Sequence, residues 1–145
     1  MEAANRGSYE ACGSSVGFNI VLPKEQVINP YVTHGVNFHF FASRKMALMF
    51  SGETYIFYPG GYGTLDEFFQ ILTLIQTKKL PKVPVIAVGS EFWIPIKDMA
   101  KFMLRDRFQT ISEEDPDLFK IIDNHDEILK EIENAKIQND NEFYR

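Results

Sequence analysis

Short hydrophobic runs alternate along this chain with segments whose apolar positions recur at the helical spacing. The strand-like runs lie at 16–22, 36–41, 54–58, 83–88 and 118–122, and the helical patterns lie at 1–11, 42–50, 64–77 and 92–107. A last helix is predicted after Asn124, because Asn124-x-x-Glu127 resembles a capping box. This alternation is typical of βαβ units, so the sequence predicts an α/β, Rossmann-like open parallel sheet with helices on both faces.

The helix predicted over 64–77 has a wide apolar face. Its apolar positions are Leu65, Phe68, Phe69, Leu72 and Ile75, with Ile71 and Leu74 widening the stripe. We therefore expect this helix to be heavily buried, and we expect Trp93 to belong to the core. Since the chain shows no internal repeat and no long linker, the sequence predicts one domain over 1–137 and a polar, disordered tail over 138–145.

Composition narrows the class of protein. The chain has 145 residues, of which 45% are hydrophobic, and this suits one domain with one core. Its net charge of −5 argues against a general nucleic-acid binder, which needs a basic field to neutralise phosphates. A small phosphate ligand is still compatible, because backbone amides and one or two basic side chains are enough to bind it. The 13 phenylalanines suit a core, a pocket wall or a subunit interface alike.

Cysteine usage and the N-terminus bear on the compartment. Cys12 is the single cysteine, so no internal disulfide can form and a reducing compartment is the simple expectation. A catalytic role for Cys12 has little support, because no histidine lies near it in sequence. No apolar stretch approaches the roughly 18 residues of a membrane span, and the first residues lack the apolar core of a signal peptide. We therefore predict a cytoplasmic protein that binds neither membranes nor nucleic acid.

The segment Pro59-Gly60-Gly61-Tyr62-Gly63-Thr64 lies between a predicted strand and a predicted helix. Three glycines in four positions let the backbone approach a ligand closely, and the start of a helix offers unpaired N–H groups and a positive dipole end. Together these features are typical of an anion site, most often a phosphate site. The segment matches neither a Walker loop nor the dinucleotide fingerprint. A tight turn without any ligand is the alternative.

Glu67 lies three residues after Thr64, so the two side chains share one face of the predicted helix at the ligand end. Glu67 is therefore a candidate ligand-facing acid. The alternative is a capping box, in which Glu67 only accepts a hydrogen bond from the Thr64 amide. Asp66 points about 100° away and is expected to complement the helix dipole.

Arg44 lies on an otherwise apolar helical stripe with Phe41 and Leu48. An arginine in this position either extends to water along its aliphatic stem or reaches a buried anion. The three histidines show no metal-ligand spacing, so the sequence predicts no metal site.

These motifs together resemble the Lonely Guy family, whose members are cytokinin riboside 5′-monophosphate phosphoribohydrolases often labelled lysine decarboxylases. The family pattern is an Arg-Lys pair followed by P-G-G-x-G-T-x-x-E. Arg44-Lys45 and the segment from Pro59 to Glu67 match every fixed position. The segments 1–7, 17–20 and 74–77 are similar to the bacterial branch, and the resemblance covers roughly 1–135.

The resemblance implies hydrolysis of the N-glycosidic bond of a purine nucleoside 5′-monophosphate such as AMP, with an N6-modified adenosine as one form of the substrate. It implies a catalytic pair, Arg44 and Glu67. The substrate-binding residues implied are Gly60, Gly61, Gly63 and Thr64 for the phosphate, together with Lys45, Glu2 and Asn19. It also implies a homodimer and no cofactor. Decarboxylation would normally need pyridoxal phosphate and its Schiff-base lysine, and no lysine here is marked for that role.

One departure from the family pattern affects the expected activity. The family carries a further βαβ segment with a glycine-rich turn before the position of Met1-Glu2-Ala3, and we expect this chain to lack it. Two alternatives to the hydrolase therefore stay open. One is a non-catalytic nucleotide-binding or carrier protein, and the other is a nucleosidase that accepts the monophosphates of several bases.

Overall fold

The computed structural model describes residues 2–21 and 28–135. The chain divides into two compact units, Met1–Ser51 and Gly52–Arg145, here called the N-terminal and C-terminal units. Both contain parallel strands together with helices, which confirms the α/β class and agrees with a Rossmann-like fold. A single domain over 1–137 stays a prediction, and the predicted tail over 138–145 lies outside the described residues.

The N-terminal unit contains two helices and two strands in its described part. They are α1 (Glu2–Glu10), β1 (Val16–Ile20), β2 (His34–Phe38) and α2 (Phe41–Phe50). The strands pair in parallel, from Val16 opposite His34 to Ile20 opposite Phe38. β2 ends earlier than predicted because Phe40 is already the extended N-cap of α2.

The predicted buried strand over 16–22 is only partly buried. Ile20 is 6% exposed, whereas Val16 is 52% exposed. β1 pairs with β2 in a two-stranded sheet, and such a sheet covers less of each strand than one continuous open sheet would. An apolar run is compatible with either degree of burial.

The C-terminal unit contains a three-stranded sheet in which the strands follow chain order. Its elements are β3 (Tyr55–Phe57), α3 (Tyr62–Gln76), β4 (Val85–Ala87), α4 (Ser90–Met99), β5 (Lys120–Ile121) and α5 (His125–Glu133). A 3₁₀ turn, Asp115–Asp117, precedes β5. All strand pairs are parallel, so the loops after β3, β4 and β5 lie along one edge of this sheet.

Apolar side chains cover both faces of this sheet. On one face, Ile86 and Val88 pack with Ile128 of α5. On the other face, Phe57 contacts Phe68 of α3 at a ring-centroid distance of 5.3 Å. Burial on both faces explains why β4 is apolar at every position.

Phe68 lies at the centre of an aromatic cluster. Its ring centroid lies 4.6 Å from that of Trp93 and 4.9 Å from that of Phe119, and both Phe68 and Trp93 are fully buried. The indole N–H of Trp93 donates to the Val88 carbonyl at 3.1 Å, so no polar atom of Trp93 is left unsatisfied. The core position predicted for Trp93 is therefore confirmed.

The apolar face of α3 is narrower than predicted. Phe68, Ile71 and Ile75 are its buried positions, while Phe69 is 38% exposed. The reason is that α3 contacts the sheet along one stripe, and the two adjacent phenylalanines point about 100° apart.

The helix predicted over 92–107 changes its hydrogen bonding along its length. The α-helix ends at Met99, and a π-helical segment follows over Ala100–Arg107. The amide of Phe108 donates to the Met103 carbonyl at 2.9 Å, five residues back. Hydrophobic periodicity does not distinguish α-helical from π-helical hydrogen bonding. In the described part of the chain, no helix is both long enough and apolar enough to cross a membrane.

Candidate functional site

Helix α3 begins at the glycine segment itself. Gly61 is its N-cap, and the first helical hydrogen bond runs from the Leu65 amide to the Gly61 carbonyl at 3.1 Å. The amides of Tyr62, Gly63 and Thr64 therefore come before the first backbone hydrogen bond of the helix and have no acceptor within it. The capping-box alternative for Thr64 and Glu67 is wrong, because Thr64 is the third residue inside the helix rather than its cap.

Gly60 has an internal structural reason to be glycine. A Cβ atom at this position would lie 2.8 Å from the Cβ atom of Thr64, so the Thr64 side chain occupies the space that a larger residue would need. The close approach lets the chain leave β3 and enter α3 within a few residues.

Gly61 and Gly63 have no comparable internal reason. A Cβ atom at either position would meet none of the described residues within 4 Å, and Gly61 has an ordinary extended backbone with φ −86°. Glycine within a helix costs about 0.8–1 kcal/mol relative to alanine. Space next to unpaired amides is what a closely approaching anion requires. The described structure thus leaves unoccupied space next to the first amides of α3.

The next two helices of the same unit differ from α3, because side chains already occupy their N-termini. The Asp123 carboxylate accepts hydrogen bonds from the amides of Gly89 (2.7 Å) and Ser90 (3.1 Å) at the start of α4. The Asn124 side chain accepts from Asp126 (2.9 Å) and Glu127 (3.2 Å) at the start of α5, which confirms the predicted Asn124 cap. For α3, Gly61 supplies no capping side chain.

Glu67 lies on the same face of α3 as Thr64, and about 4.5 Å further along the helix axis. The Glu67 side chain is half-buried, whereas its neighbour Asp66 is exposed. This difference arises because Glu67 lies four residues before the buried Ile71 and therefore on the inner side of the helix. The structure therefore separates the two acids by burial as well as by direction.

Arg44 belongs to the N-terminal unit, in the second turn of α2. Its Nε donates to the backbone carbonyl of Phe18 in β1 at 2.8 Å, and the side chain is half-buried. The guanidinium is therefore turned onto the sheet instead of extending along the helix surface into water. Lys45, the next residue, is also half-buried.

Asn19 lies next to the carbonyl that holds Arg44. Its side-chain amide donates to Oδ1 of Asn37 at 3.2 Å, and the two residues are directly opposite in the β1–β2 pair. Sequence reasoning missed Asn37. The signal was available in principle, since polar Asn37 interrupts an apolar and aromatic run near the end of a strand.

Glu2 and Asn5 lie on α1, and their surroundings differ. Glu2 is exposed in the first turn of the helix. Asn5 takes part in an internal network, because its Nδ2 donates to the hydroxyl of buried Ser15 at 2.8 Å and its Oδ1 accepts from Asn29 at 2.9 Å. The amide of Asn5 thus connects α1 with the loops on either side of β1.

A pocket in the C-terminal unit lies at the opposite edge of the sheet from the glycine segment. Its lining includes Lys82, Pro84 and Val85 before and at the start of β4, and Lys120 at the start of β5. Ligands of open parallel sheets bind beyond the carboxyl ends of the strands, whereas this pocket lies at the amino ends. We therefore assign the candidate site to the glycine segment. In the described ranges, no three histidine, cysteine, aspartate or glutamate side chains are grouped to hold a metal ion.

Comparison with known proteins agrees with the resemblance carried by these motifs. Residues 1–132 match the family described as "Possible lysine decarboxylase". A search among curated proteins gives no match. The matched range includes the Arg44-Lys45 pair and the whole glycine segment. The chain therefore belongs to this family, which is also called the Lonely Guy family.

Proposed function

We propose that this protein hydrolyses the N-glycosidic bond of a purine nucleoside 5′-monophosphate and releases the free base and ribose 5-phosphate. The observation that carries the proposal is the start of α3, where three amides precede the helical ladder beside two glycines that no internal contact requires. Membership of the family supports the same assignment. AMP or an N6-modified analogue is the proposed substrate.

The phosphate is the part of the substrate that suits the glycine segment. A 5′-phosphate carries up to two negative charges, and it would face the positive end of the α3 dipole and the amides of Tyr62, Gly63 and Thr64. Binding the phosphate away from the bond that breaks would fix the position of the sugar. A nucleoside without the phosphate should therefore be a much poorer substrate.

Glu67 is the proposed catalytic carboxylate. Loss of the base leaves positive charge on the sugar, as in glycoside hydrolysis. A carboxylate one helical turn beyond the phosphate amides can stabilise this cation or orient the attacking water. The half-buried setting of Glu67 supports this role, since charge interactions strengthen where water is partly excluded.

Arg44 is proposed as the second member of the catalytic pair. The Phe18 carbonyl fixes Nε and hence the plane of the guanidinium, and such a fixed group loses little entropy on binding an anion. Lys45, Asn19 and Glu2 are proposed as further substrate-binding residues. The bond from Asn19 to Asn37 would set the orientation of the Asn19 amide.

Lysine decarboxylation, the activity that the family's description names, is less well supported for this chain. The sequence marks no lysine as a Schiff-base residue for pyridoxal phosphate. The test should include lysine with added pyridoxal phosphate as a separate substrate arm, so that either chemistry can be detected.

The experiment measures base release by chromatography from AMP, from N6-isopentenyl-AMP and from adenosine. Glu67→Gln is compared with Asp66→Asn, which removes a charge one position away on the same helix. We expect release from the monophosphates, little from adenosine, and a loss of about 10²–10⁴-fold in Glu67→Gln alone. Calorimetry should show that Glu67→Gln still binds AMP.

Other outcomes would assign the protein differently. AMP binding without base release by the parent chain would point to a nucleotide-binding or carrier protein. Equal release from the monophosphates of several bases would point to a broad nucleosidase. Carbon dioxide release from lysine, without base release from any monophosphate, would refute the hydrolase.

A homodimer in the cytoplasm is part of the proposal. Cys12 is a free, exposed thiol, which suits a reducing compartment. Light scattering coupled to gel filtration would give the mass in solution, and a monomeric mass of about 16.7 kDa would refute the dimer.

A further inference from the structure

We infer that Asp123, two strands away from the glycine segment, is a positioning residue that holds this segment in place. Its ligand-binding consequence rests on the proposed function, but its structural consequence does not. The inference comes from a chain of contacts along the carboxyl edge of the C-terminal sheet, from the loop after β5 to the loop after β3.

The first contact joins the loops after β5 and β4. Oδ1 of Asp123 accepts from the amides of Gly89 and Ser90 at 2.7 and 3.1 Å, and Oδ2 lies 3.2 Å from the Ser90 amide. Both carboxylate oxygens are thus directed at the start of α4. A hydrogen bond from the Ser90 side chain, together with the two amides, lowers the pKa of Asp123, as expected for an ionised acceptor.

The second contact joins the loops after β4 and β3. Gly89 has φ +100°, a backbone conformation that residues with a side chain rarely adopt. A Cβ atom at Gly89 would also lie 2.9 Å from Cγ of Pro59. The Pro59 ring is therefore packed directly against the Gly89 backbone. Pro59 begins the glycine segment, so the Gly89 backbone sets where that segment leaves the sheet.

The contact between Gly89 and Pro59 needs Asp123 as a restraint, because Gly89 is a glycine in a left-handed conformation. A glycine loses more conformational freedom on folding than any other residue, so its backbone is easily displaced unless other contacts fix it. Asp123 supplies that restraint, because its carboxylate holds the Gly89 and Ser90 amides together. Without it, the surface against which Pro59 packs would loosen.

The test compares Asp123→Ala with Asn124→Ala. Both variants remove a side chain that caps a helix N-terminus, but Asn124 caps α5 and is bonded to Asp126 and Glu127. The readout is amide hydrogen exchange in the absence of nucleotide, followed at Leu65, whose amide is bonded to the Gly61 carbonyl. Asp123→Asn keeps an acceptor oxygen and is the conservative rescue.

We expect Asp123→Ala to speed exchange at Leu65 by at least about three-fold, and Asn124→Ala to leave Leu65 unchanged while it speeds exchange in α5. Asp123→Asn should restore most of the protection. Unchanged Leu65 exchange in Asp123→Ala, with faster exchange confined to the start of α4, would overturn the inference. Pro59→Ala is the second variant if Asp123→Ala fails to fold. It should speed exchange at Leu65 and not at Trp93, and unchanged Leu65 exchange would again overturn the inference.

A kinetic arm distinguishes positioning from chemistry. Asp123→Ala should raise KM for AMP several-fold more than it lowers kcat, and Asn124→Ala should change neither. A fall in kcat with an unchanged KM would contradict a role in holding the phosphate segment. If the parent chain neither binds nor cleaves AMP, the proposed function fails, and the hydrogen-exchange comparison still decides the role of Asp123.

Discussion

Replacing Gly63 by alanine should change stability and nucleotide binding in opposite directions. Gly63 is the second residue of α3, and in the part of the chain that the structure describes nothing lies within 4 Å of a Cβ atom at this position. Alanine therefore fits the free protein without strain, and it restricts the unfolded chain. In a nucleotide complex, the same methyl group would occupy space that the phosphate needs.

The size of the stability effect follows from the position. Alanine in place of glycine in a helix favours folding by about 0.5–1 kcal/mol. For a chain of 145 residues the unfolding entropy is roughly 0.3 kcal/mol per kelvin, so Tm should rise by about 2–3 °C. Loss of close phosphate contact should weaken AMP binding by about ten-fold or more, which corresponds to about 1.4 kcal/mol.

Differential scanning calorimetry without ligand and titration calorimetry with AMP measure the two effects separately. Gly60→Ala is the matched control, because its Cβ atom would lie 2.8 Å from that of Thr64. That variant should lower Tm instead of raising it. The same pair of variants thus separates a glycine required by packing from one that packing does not require.

Two results would refute the reasoning. A Gly63→Ala variant with raised Tm and unchanged AMP affinity would mean that the open space at the start of α3 is not where the phosphate binds. A lowered Tm would mean that Gly63 is required by the fold itself, contrary to its surroundings in the structure.

Phe68→Ala should destabilise the protein by about 3–5 kcal/mol, because it removes the fully buried centre of the aromatic cluster. Phe69→Ala should destabilise it far less, and urea titration would give both free energies of unfolding. Lys78→Gly should stabilise by about 0.5–1 kcal/mol, since Lys78 has φ 57° in the turn that ends α3, and Lys79→Gly should show no such gain. The lowered pKa of Asp123 means that its contribution to stability is complete above the ordinary aspartate pKa of about 4 and is lost as the pH falls through its folded value. The stability difference between the parent and Asp123→Asn should therefore shrink on acidification, and a difference that does not change between pH 7 and pH 2 would contradict this.

The sequence by itself determined the order of strands and helices, the buried position of Trp93 and the cap at Asn124. Each of these depends on a local pattern: apolar runs bounded by glycine or proline, helical spacing, or a capping residue placed before an acidic turn. The glycine segment was also recognisable, because its three glycines lie between a predicted strand and a predicted helix and match the family motif.

Only the tertiary structure decided where α3 begins, and this choice changed the interpretation of Thr64 and Glu67. Sequence spacing allowed a capping box, but backbone hydrogen bonding places the cap at Gly61. The inward turn of Arg44 onto the Phe18 carbonyl also depends on a residue 26 positions away, which periodicity does not register.

Asp123 shows most clearly what the sequence pattern does not reveal. In sequence it is one acid among several near the end of the chain, and nothing local associates it with Gly89 or Pro59. The parallel sheet brings the three loops together at one edge, because every strand of the C-terminal unit ends on that side. Local patterns fix the elements and their caps, whereas contacts between loops distant in sequence exist only once the sheet has formed.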